Sequence, residues 1–561
     1  MAWKILHLCR SRIIIRKYKC FATEIKEYKS VVPAFRLVTN WPNKIAITDE
    51  FGDYTYANLF VSSKILAGQI SEILNGRTQK RVAFICPNNA LFILAQWACW
   101  MSGQIAVPLC SLHPQEMWEY FVKDSECSII LGSEEYQEKI GLLSKKTDVK
   151  SLIVPSKLRI SAMVGTLATK SNASPNLKGG CNPNLYTKWK ALIIYTSGST
   201  ASPKGVVLSF SNLSSQINGM ISAWSWNSED TILHCLPLHH VHGLINGLLT
   251  ALHCGARCLM LPKFNAKTVW NHLLNTEIGN SRRVTVFTGV PTMYIQLIKE
   301  YENSFGENHH MTNYIKAVCS QQIRLMMCGS ASLPISIFDT WEQITGHRLL
   351  ERYGMSETGM TLSNPLNGFR KPGFVGNPMP NVYVRIVDNG KILVEGNEHG
   401  TKIVIKDFSV KEQLIGELQV KSENVFKEYW NKPQVTKESF VENGWFLTGD
   451  TVQFIDNSYK ILGRNSVDII KSGGFKVSAL FIESTLLQHP DIKDVIVVGL
   501  PDVTWGQKIT AIIVFVDGGN EKHITQLSSI RIWIKDKLPM YMVPMMWKVV
   551  SEIPRNAMGK R

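Results

Sequence analysis

The stretch Ile193–Gly205 (IIYTSGSTASPKG) contains residue types in an order that points to phosphate chemistry. An apolar segment leads into small hydroxyl residues and glycine, and the run ends at Pro203, Lys204 and Gly205. Small residues let a backbone wrap a polyphosphate, hydroxyl groups add hydrogen-bond donors, and a lysine supplies a cation for the β- and γ-phosphates. The GxxxxGK[ST] pattern of a Walker A loop is absent. A Ser/Thr-rich surface turn would have the same composition, but the ordered string after an apolar segment predicts a phosphate-binding loop.

Three histidines, His239, His240 and His242, occupy the short apolar string LPLHHVHG. A transition-metal site would need carboxylate or cysteine partners, and the neighbouring sequence supplies neither. We therefore do not predict a metal site at these histidines. Cys254 and Cys258 lie in ALHCGARCLMLP, which is typical of a buried strand region, so we predict that they are core residues.

Composition places these motifs in a large globular chain. Its 561 residues are 45% hydrophobic and 19% charged, which excludes a mainly disordered, collagenous or fibrous protein. The net charge of +16 suits anionic ligands such as nucleotides. No basic stripe with interleaved aromatic residues is present, so a nucleic-acid partner is not predicted. The 12 cysteines are too few for a disulfide scaffold and indicate a reducing compartment.

The elements that must position the motifs follow from apolar periodicity. Short apolar runs bounded by Gly, Pro or Ser alternate with amphipathic segments, which predicts buried parallel strands joined by helices. From Pro378 the pattern changes to alternating strands and turns, which predicts an antiparallel or barrel-like region. A compact module follows Gly463. The stretch Ser171–Asn184 is rich in Gly, Pro and Asn and predicts a loop or linker.

Two segments of the sequence indicate whether the protein is targeted to an organelle or inserted in a membrane. Residues 1–23 are basic, lack acidic residues and are apolar in patches, which is the composition of a mitochondrial transit peptide. Arg10 and Arg12 interrupt any apolar core of a secretory signal, and an ordinary basic arm is the alternative. The uncharged stretch Ala83–Gln115 is punctuated by Pro, Gly and Asn, so it predicts a strand, a helix and a second strand. No transmembrane segment is expected.

The phosphate loop and four later strings resemble, in order, the motifs of the adenylate-forming superfamily. That superfamily contains acyl-CoA synthetases, adenylation domains of peptide synthetases and luciferases. The later strings are ERYGMSETG (Glu351–Gly359), GWFLTGD (Gly444–Asp450), GRNSVDIIKSGGFKVS (Gly463–Ser478) and IPRNAMGK (Ile553–Lys560). The resemblance extends from near residue 40 to the end of the chain. LPLHHVHG, GVPTMY and GSASLP further resemble the mitochondrial malonyl-CoA synthetase branch.

The resemblance implies an α/β fold with two lobes. A large N-terminal lobe of several subdomains, residues 24–462, would contain parallel-type sheets and a distorted barrel. A small mobile α+β domain, residues 463–561, would follow it. Residues 1–23 would be the transit peptide, removed in the mitochondrial matrix. A role in fatty acid and lipid metabolism is also implied.

The resemblance also implies an ATP site with Mg²⁺ and places its residues. The β- and γ-phosphates would be held by Thr196, Ser197, Gly198, Ser199, Thr200 and Lys204. The adenine would lie between Tyr353 and Gly354 on one side and Gly329, Ser330 and Ala331 on the other. Ser356 would bind phosphate and Glu357 would bind Mg²⁺, whereas Asp450, helped by Arg464, would bind the ribose hydroxyls.

Catalysis and thiol binding are assigned by the same resemblance. Lys560 would stabilise the charge that builds as the acyl-adenylate forms. His240 would pack beside the acyl pocket and gate the route between ATP and the thiol. Rotation at Gly463–Asp468 would then present Lys471, Gly473 and Gly474 to the pantetheine arm of CoA.

Arg352 suggests the acid that is activated. Many relatives carry glycine at this position, and a guanidinium suits bidentate capture of a second carboxylate. An ion pair of Arg352 with Glu351 or another acid is the alternative. Met355 and Met360 would shape a small pocket. Arg352 therefore favours a short dicarboxylate such as malonate or methylmalonate over a fatty chain.

Two departures from the family pattern bear on activity. Ala201 stands where the phosphate loop usually has Gly or Ser, and Phe481 stands where close relatives carry Glu. The predicted function is an ATP-dependent, AMP-forming ligase that joins malonate to CoA. A short- or medium-chain fatty acyl-CoA synthetase and a catalytically weak nucleotide-binding relative are the alternatives. The oligomeric state is left open.

Overall fold

The computed structural model describes residues 31–162, 177, 183–196, 202–275, 283–405, 414–465, 468–472, 475–516 and 523–554. Within these residues, a nine-stranded sheet forms the centre of the large lobe. Its strands lie in the order Asn377–Pro378, Gly359–Ser363, Leu350–Met355, Leu325–Cys328, Val286–Gly289, Thr231–His234, Arg257–Met260, Ile45–Asp49 and Gly52–Thr55. The strands from Leu350–Met355 to Ile45–Asp49 are parallel, and the outer pairs are antiparallel.

A seven-stranded sheet is the second layer of the large lobe. Its order is Glu428–Tyr429, Lys204–Ser209, Lys190–Thr196, Ile105–Pro108, Arg81–Ile85, Cys127–Ser133 and Lys150–Val154. The first two pairings are antiparallel and the others parallel. Arg81–Ile85, the helix Ala90–Met101 and Ile105–Pro108 form the predicted strand, helix and strand. That helix is buried on all sides, which explains its uncharged sequence.

The region after Pro378 is an antiparallel sheet, as its alternating pattern predicts. Its strands lie in the order Gly400–Ile403, Lys391–Asn397, Tyr383–Asp388, Ile415–Lys421, Trp445–Ile455 and Phe440–Val441, and Ser458–Arg464 pairs with Trp445–Ile455. The pairing of Asp450 with Arg464 at the end of this sheet brings two predicted site residues side by side.

The small module after residue 468 has its own sheet and its own core. The strands lie in the order Phe475–Ser478, Ile469–Ser472, Gly506–Phe515 and Ile492–Asp502, and Met546–Val549 runs parallel to Gly506–Phe515. The helices Ala479–Leu486 and His523–Lys535 belong to this module, whose core includes Ile482, Leu486 and Ile530.

Helices cover the sheets of the large lobe because each presents an apolar face to them. The α-helices of this lobe are Tyr56–Ile73, Ala90–Met101, Gln115–Asp124, Gln137–Thr147, Ser156–Ala162, Pro183–Tyr186, Phe210–Trp224, Thr250–His253, Ala266–Leu274, Pro291–Phe305, His309–Gln322, Ile335–Thr345 and Pro433–Glu438. Short 3-10 helices span Ala34–Arg36, Val38–Asn40, Glu134–Tyr136, Glu442–Gly444 and, in the small module, Met540–Met542.

Two further observations complete the fold. A π-helix, His242–Leu249, begins at the last histidine of the HHVH string. Among the described residues, no helix is long and apolar enough to cross a membrane. The mixed α/β class, with parallel sheets, an antiparallel region and a smaller C-terminal unit, confirms the predicted fold class. Of the predicted loop Ser171–Asn184, most residues lie outside the described ranges, and a short helix starts at Pro183.

Candidate active site

The carboxyl ends of the parallel strands in the nine-stranded sheet bring polar residues from separate motifs together. Thr288 lies near the end of Val286–Gly289, Gly329 follows Leu325–Cys328, and Arg352 lies in Leu350–Met355. His242 reaches the same place from the start of the π-helix. Ligands of open α/β sheets bind at this edge, outside the carboxyl ends of the strands. The fold therefore brings Thr288, which directly precedes GVPTMY, together with residues of GSASLP, ERYGMSETG and LPLHHVHG.

Arg352 is a buried cation among these residues. It is 5% exposed, and its Nε and Nη2 atoms are buried without a hydrogen-bond partner among the described residues. Burial lowers the pKa of the guanidinium to about 10, so it stays charged at neutral pH. An unpaired buried charge is costly unless an anion completes it. The guanidinium packs on Gly329, where an added Cβ would lie 2.2 Å from Arg352 Nη1.

The alternative of an Arg352–Glu351 ion pair is not what the structure shows. Successive residues of a strand point to opposite faces of the sheet, so the two side chains diverge. Glu351 Oε1 instead accepts a hydrogen bond of 2.8 Å from the Gly373 amide. Burial raises the pKa of the Glu351 carboxyl to about 8. Among the described residues, the Nε and Nη2 atoms of Arg352 therefore have no carboxylate partner.

His242 lies beside this guanidinium as a neutral imidazole. Its Nε2 is 2.7 Å from Thr288 Oγ1 and its Nδ1 is 3.0 Å from Ser330 Oγ. Burial, and then the charge of Arg352, hold the pKa of His242 well below its usual value. Ser330 adopts a left-handed φ of 69°, a strained conformation of the kind that clusters at ligand sites. Sequence reasoning missed Thr288, which no local motif singles out.

Tyr353, Asp450 and Arg464 form a second cluster. The Tyr353 hydroxyl donates a short hydrogen bond to Asp450 Oδ2, and Arg464 Nε lies 3.0 Å from Asp450 Oδ1. Burial raises the pKa of Asp450, whereas Arg464 opposes that shift. The paired strands Trp445–Ile455 and Ser458–Arg464 hold the ion pair in register. The structure therefore brings together a carboxylate, a cation and an aromatic ring, whose role in binding a nucleoside stays a prediction.

The strand pair around the ERYGMSETG string is tightly packed. A Cβ on Gly354 would lie 2.2 Å from the Gly359 carbonyl oxygen, so only glycine allows the two strands to approach. Met355 Sδ lies 3.9 Å from the Tyr353 hydroxyl, and Met360 is buried. Ser356 is partly buried in the turn. On the opposite loop Gly329 is buried, and Ala331 is exposed.

Glu357 is a buried carboxylate held by Tyr429. The Tyr429 hydroxyl donates a hydrogen bond of 2.9 Å to Glu357 Oε1. Burial raises the pKa of Glu357, and the Tyr429 hydrogen bond and the charges of Arg464 and Lys204 oppose the rise. Lys204 Nζ lies 5.1 Å from the Tyr429 ring centroid. Sequence reasoning missed Tyr429, because its strand pairs with the lysine strand across more than 200 residues of chain.

The phosphate loop is described only at its two ends. Thr196 ends one strand, Lys204 begins the next, and the two residues are paired directly. The Thr196 hydroxyl donates to the Lys204 carbonyl oxygen at 3.5 Å. The predicted residues Ser197, Gly198, Ser199, Thr200 and Ala201 lie outside the described residues, as do Gly473, Gly474 and Lys560.

His240 lies next to His239 on the loop before the π-helix, with ring centroids 4.0 Å apart. The neighbouring sequence supplies no cysteine partner to HHVH, but the fold brings a cysteine close to His239. Cys110 and His113, from the loop after the strand Ile105–Pro108, offer ligand atoms within 4.8 Å of His239 and of one another. No local motif predicts this proximity, because the three residues come from two loops that are far apart in the chain.

The predicted joint begins at a glycine with a positive φ, a conformation that favours glycine. Gly463 has a φ of +132°, and a Cβ there would lie 2.4 Å from the Asp468 Cβ. Asp468 Oδ2 accepts a hydrogen bond of 2.9 Å from the Arg464 amide. Lys471 is exposed, and its amide donates to Gln507 Oε1 at 2.7 Å. The predicted nucleotide residues and the predicted joint are therefore adjacent in the structure.

Comparison with known proteins finds the same superfamily that these motifs resemble. The AMP-binding enzyme family matches residues 35–430, and the AMP-binding enzyme C-terminal domain matches residues 482–560. The mitochondrial malonate–CoA ligase ACSF3 of Mus musculus is 43% identical over 94% of this chain and 89% of the relative. Malonate–CoA ligase of Arabidopsis thaliana is 37% identical over 94% of this chain and 86% of the relative.

Solved structures show the same fold. ATP-bound MatB from Rhodopseudomonas palustris is 27% identical, covers 95% of this chain and 97% of its own, and gives a TM-score of 0.76. A malonyl-CoA ligase with methylmalonyl-CoA and AMP bound is 29% identical. The match covers 91% of this chain and 97% of that chain, with a TM-score of 0.59. The predicted superfamily resemblance is confirmed, and this chain belongs to the AMP-binding enzyme family.

Proposed function

We propose that this chain is an ATP-dependent, AMP-forming acid–CoA ligase that activates malonate. The observation that carries the choice of acid is Arg352, a buried guanidinium with two unpartnered nitrogens. His242, Thr288 and Ser330 supply polar atoms beside it, which suits a carboxylate and not a hydrocarbon chain. Relatives named malonate–CoA ligase, at 37–43% identity over 94% of this chain, support the same acid.

The reaction takes two steps because a free carboxylate is a poor acylating agent. One carboxylate of malonate attacks the α-phosphorus of ATP, and pyrophosphate leaves. The CoA thiol then attacks the acyl carbon of the mixed anhydride, loses its proton and expels AMP. Arg352 would hold the second carboxylate throughout, so that only the first faces the phosphate. His242, kept neutral beside Arg352, would add a hydrogen-bonding edge without a second charge.

The nucleotide residues have distinct proposed roles. Asp450 would accept hydrogen bonds from the ribose hydroxyls, with Arg464 keeping it ionised, and Tyr353 and Gly354 would face the adenine opposite Gly329, Ser330 and Ala331. Ser356, Lys204 and the residues from Thr196 to Thr200 would bind the phosphates. Lys560 would stabilise the charge of the transition state. His240 would gate the thiol route, and Lys471, Gly473 and Gly474 would line it.

A magnesium ion fits the residues present. Glu357 is a buried carboxylate close enough to Lys204 for their charges to interact, and oxygen ligands are those that Mg²⁺ prefers. Glu357 would hold the ion, whose positive charge would offset that of the phosphates. The hydrogen bond from the Tyr429 hydroxyl to Oε1 would orient the Glu357 carboxylate for this role.

A panel of acids tests the proposal. The purified full chain is given ATP, Mg²⁺ and CoA with malonate, methylmalonate, succinate, acetate, butyrate or octanoate. Pyrophosphate release and the mass of the thioester are measured. We expect malonate to be the best substrate. A preference for butyrate would instead indicate a fatty acyl-CoA synthetase, and no exchange of pyrophosphate with any acid would indicate a nucleotide-binding relative without this activity.

Arg352→Met isolates the acid-binding step, since it keeps much of the side-chain volume and removes the charge. Truncating one partner of a buried charge pair costs about 2 kcal/mol or more, so kcat/KM for malonate should fall about thirty-fold or more. The kcat/KM for butyrate should fall only slightly. Arg370→Met is the matched control, because the buried Arg370 guanidinium donates to carbonyl oxygens of Pro365, Arg348 and Leu366 and should affect stability without changing the ratio between acids.

We also propose that the protein works in the mitochondrial matrix, in fatty acid and lipid metabolism. The basic, acid-free composition of residues 1–23 supports import, as does the mitochondrial label of the ACSF3 relatives. The lobes proposed are residues 24–462 and 463–561. A fluorescent fusion should reach mitochondria with residues 1–23 and lose that location when the basic residues of this segment are replaced by Gln.

A further inference from the structure

A cluster of three metal-binding side chains lies beside the proposed active site. Cys110, His113 and His239 present one sulfur and two imidazole nitrogens that all lie within 4.8 Å of one another. The first two come from the loop after the strand Ile105–Pro108, and His239 comes from the loop before the π-helix. Their proposed neighbour in catalysis, His240, is not part of the cluster.

The two histidines are prepared to bind an ion. His113 Nδ1 and His239 Nε2 are buried atoms without a hydrogen-bond partner among the described residues. Buried polar atoms of this kind usually have a partner, so two in one cluster need an explanation.

The Cys110 sulfur lies in the loop after the strand Ile105–Pro108, where the backbone amides of Leu112 and His113 hydrogen-bond to it. Cys110 is 7% exposed, and both histidines are partly exposed. An ion could therefore reach the cluster from solvent.

We propose that Cys110, His113 and His239 bind one zinc ion. Zinc takes sulfur and imidazole ligands at about 2.0–2.3 Å in a tetrahedral arrangement, so the ligand atoms would have to close by about 1 Å. The bond to sulfur forms as the Cys110 thiol gives up its proton to solvent. A water molecule would complete the fourth position. Soft thiolate and imidazole ligands exclude Mg²⁺ and Ca²⁺ from this set.

Zinc at this site would restrain the proposed gate. His239 and His240 are adjacent in the chain and their rings are 4.0 Å apart, so fixing His239 limits the movement of His240. We expect zinc to slow the thioester-forming step more than adenylation. This consequence rests on the proposed function, whereas binding of the ion does not.

Binding is tested first, on the tag-free full chain. Zinc titration by calorimetry should give one tight site, and Co²⁺ in its place should show the near-ultraviolet absorption of a cobalt–thiolate bond. Cys110→Ser should abolish that absorption and weaken zinc binding at least about tenfold. Cys254→Ser is the matched control, since Cys254 is also a free cysteine and lies outside the cluster.

The outcomes separate the proposals. Equal zinc affinity in Cys110→Ser and Cys254→Ser, or no cobalt–thiolate absorption, would overturn the zinc site whatever the activity is. If Cys110→Ser does not fold, His113→Gln must lower zinc affinity, as judged against the thermal stability of each variant. Inhibition of thioester formation by zinc, reversed by a zinc-selective chelator in the parent and absent in His113→Gln, would support the gate.

Discussion

At the scale of residues, the site differs from the core in how its buried charges are compensated. Arg370 uses its guanidinium on three carbonyl oxygens of its own chain. Arg352 is also buried, but two of its nitrogens have no hydrogen-bond partner among the described residues. A buried unpaired cation is unfavourable unless an anion accompanies it. We therefore expect Arg370 to be a structural charge and Arg352 to be a charge that binds a ligand.

Glu351→Gln tests the buried acid behind Arg352. In the folded chain the pKa of Glu351 is about 8, and in the unfolded chain it returns to about 4.5. A raised carboxyl pKa gives stability that is fully present below pH 4.5 and is lost as the pH rises to 8. Glutamine stays neutral and can still accept from Gly373. The variant should therefore gain several degrees of Tm over the parent at pH 8 and little at pH 5.

Thermal unfolding at both pH values measures this effect. Glu342→Gln is the control, because that carboxylate is partly exposed and pairs with Arg348. It should not gain stability between pH 5 and pH 8. An equal Tm difference for Glu351→Gln at the two values would show that Glu351 does not carry the buried proton.

Tyr429→Phe tests the residue that positions Glu357. Loss of the hydroxyl removes a hydrogen bond of 2.9 Å that orients the carboxylate and favours its ionised form. Hydrogen bonds to charged groups contribute about 1.5–3 kcal/mol, so half-saturation by Mg²⁺ in pyrophosphate exchange should rise about tenfold or more. Tyr459→Phe is the control, since the buried Tyr459 hydroxyl pairs with the Thr401 hydroxyl at 3.3 Å. An unchanged Mg²⁺ requirement would contradict the role.

At the scale of elements, the apolar periodicity of the sequence predicted the helices and strands that local sequence determines. The strand, helix and strand between Arg81 and Pro108 were predictable because their apolar residues must be buried on both faces. The pairing of Tyr429 with Val206 and the meeting of Cys110 with His239 were not, because they depend on strand order and on loops distant in sequence. Arg352 was identifiable as unusual from its motif, but its lack of a partner is visible only in three dimensions.

Gly354→Ala tests the close approach of the two strands of the ERYGMSETG string. The added Cβ would meet the Gly359 carbonyl oxygen at 2.2 Å, so the strands must separate and the proposed adenine wall must shift. We expect a Tm lower by several degrees and weaker ATP binding, measured by calorimetry. Retention of both parental values would show that the strands can separate without cost.

Gly141→Ala is the matched control for that substitution. Gly141 lies in the helix Gln137–Thr147, and its added Cβ would meet nothing within 4 Å. Alanine in a helix is more stable than glycine by about 1 kcal/mol. This variant should therefore raise the Tm and leave ATP binding unchanged, the opposite of Gly354→Ala.

At the scale of the whole molecule, the two lobes meet at a defined contact. Lys460, in the last strand of the antiparallel sheet, lies 4.4 Å from the ring centroid of Phe481 in the first helix of the small module. The Lys460 Nζ also lies 5.9 Å from the ring centroid of Phe374 in the large lobe. The overall arrangement gives a TM-score of 0.76 with ATP-bound MatB and 0.59 with the methylmalonyl-CoA and AMP complex. Because the resemblance implies that the small module rotates at Gly463–Asp468 after adenylation, we expect this contact to serve the adenylation step.

Lys460→Met tests that inference, because it keeps the apolar stem and removes the cation. Cation–π contacts contribute about 0.5–2 kcal/mol, so pyrophosphate exchange should slow about two- to thirty-fold. Thioester formation from supplied malonyl-adenylate and CoA should not slow, since the expected rotation at Gly463–Asp468 would break this contact before that step. Lys537→Met is the control, because Lys537 lies over Trp533 within the small module. An equal loss in both half-reactions would mean that Lys460 supports folding generally and does not select between arrangements of the lobes.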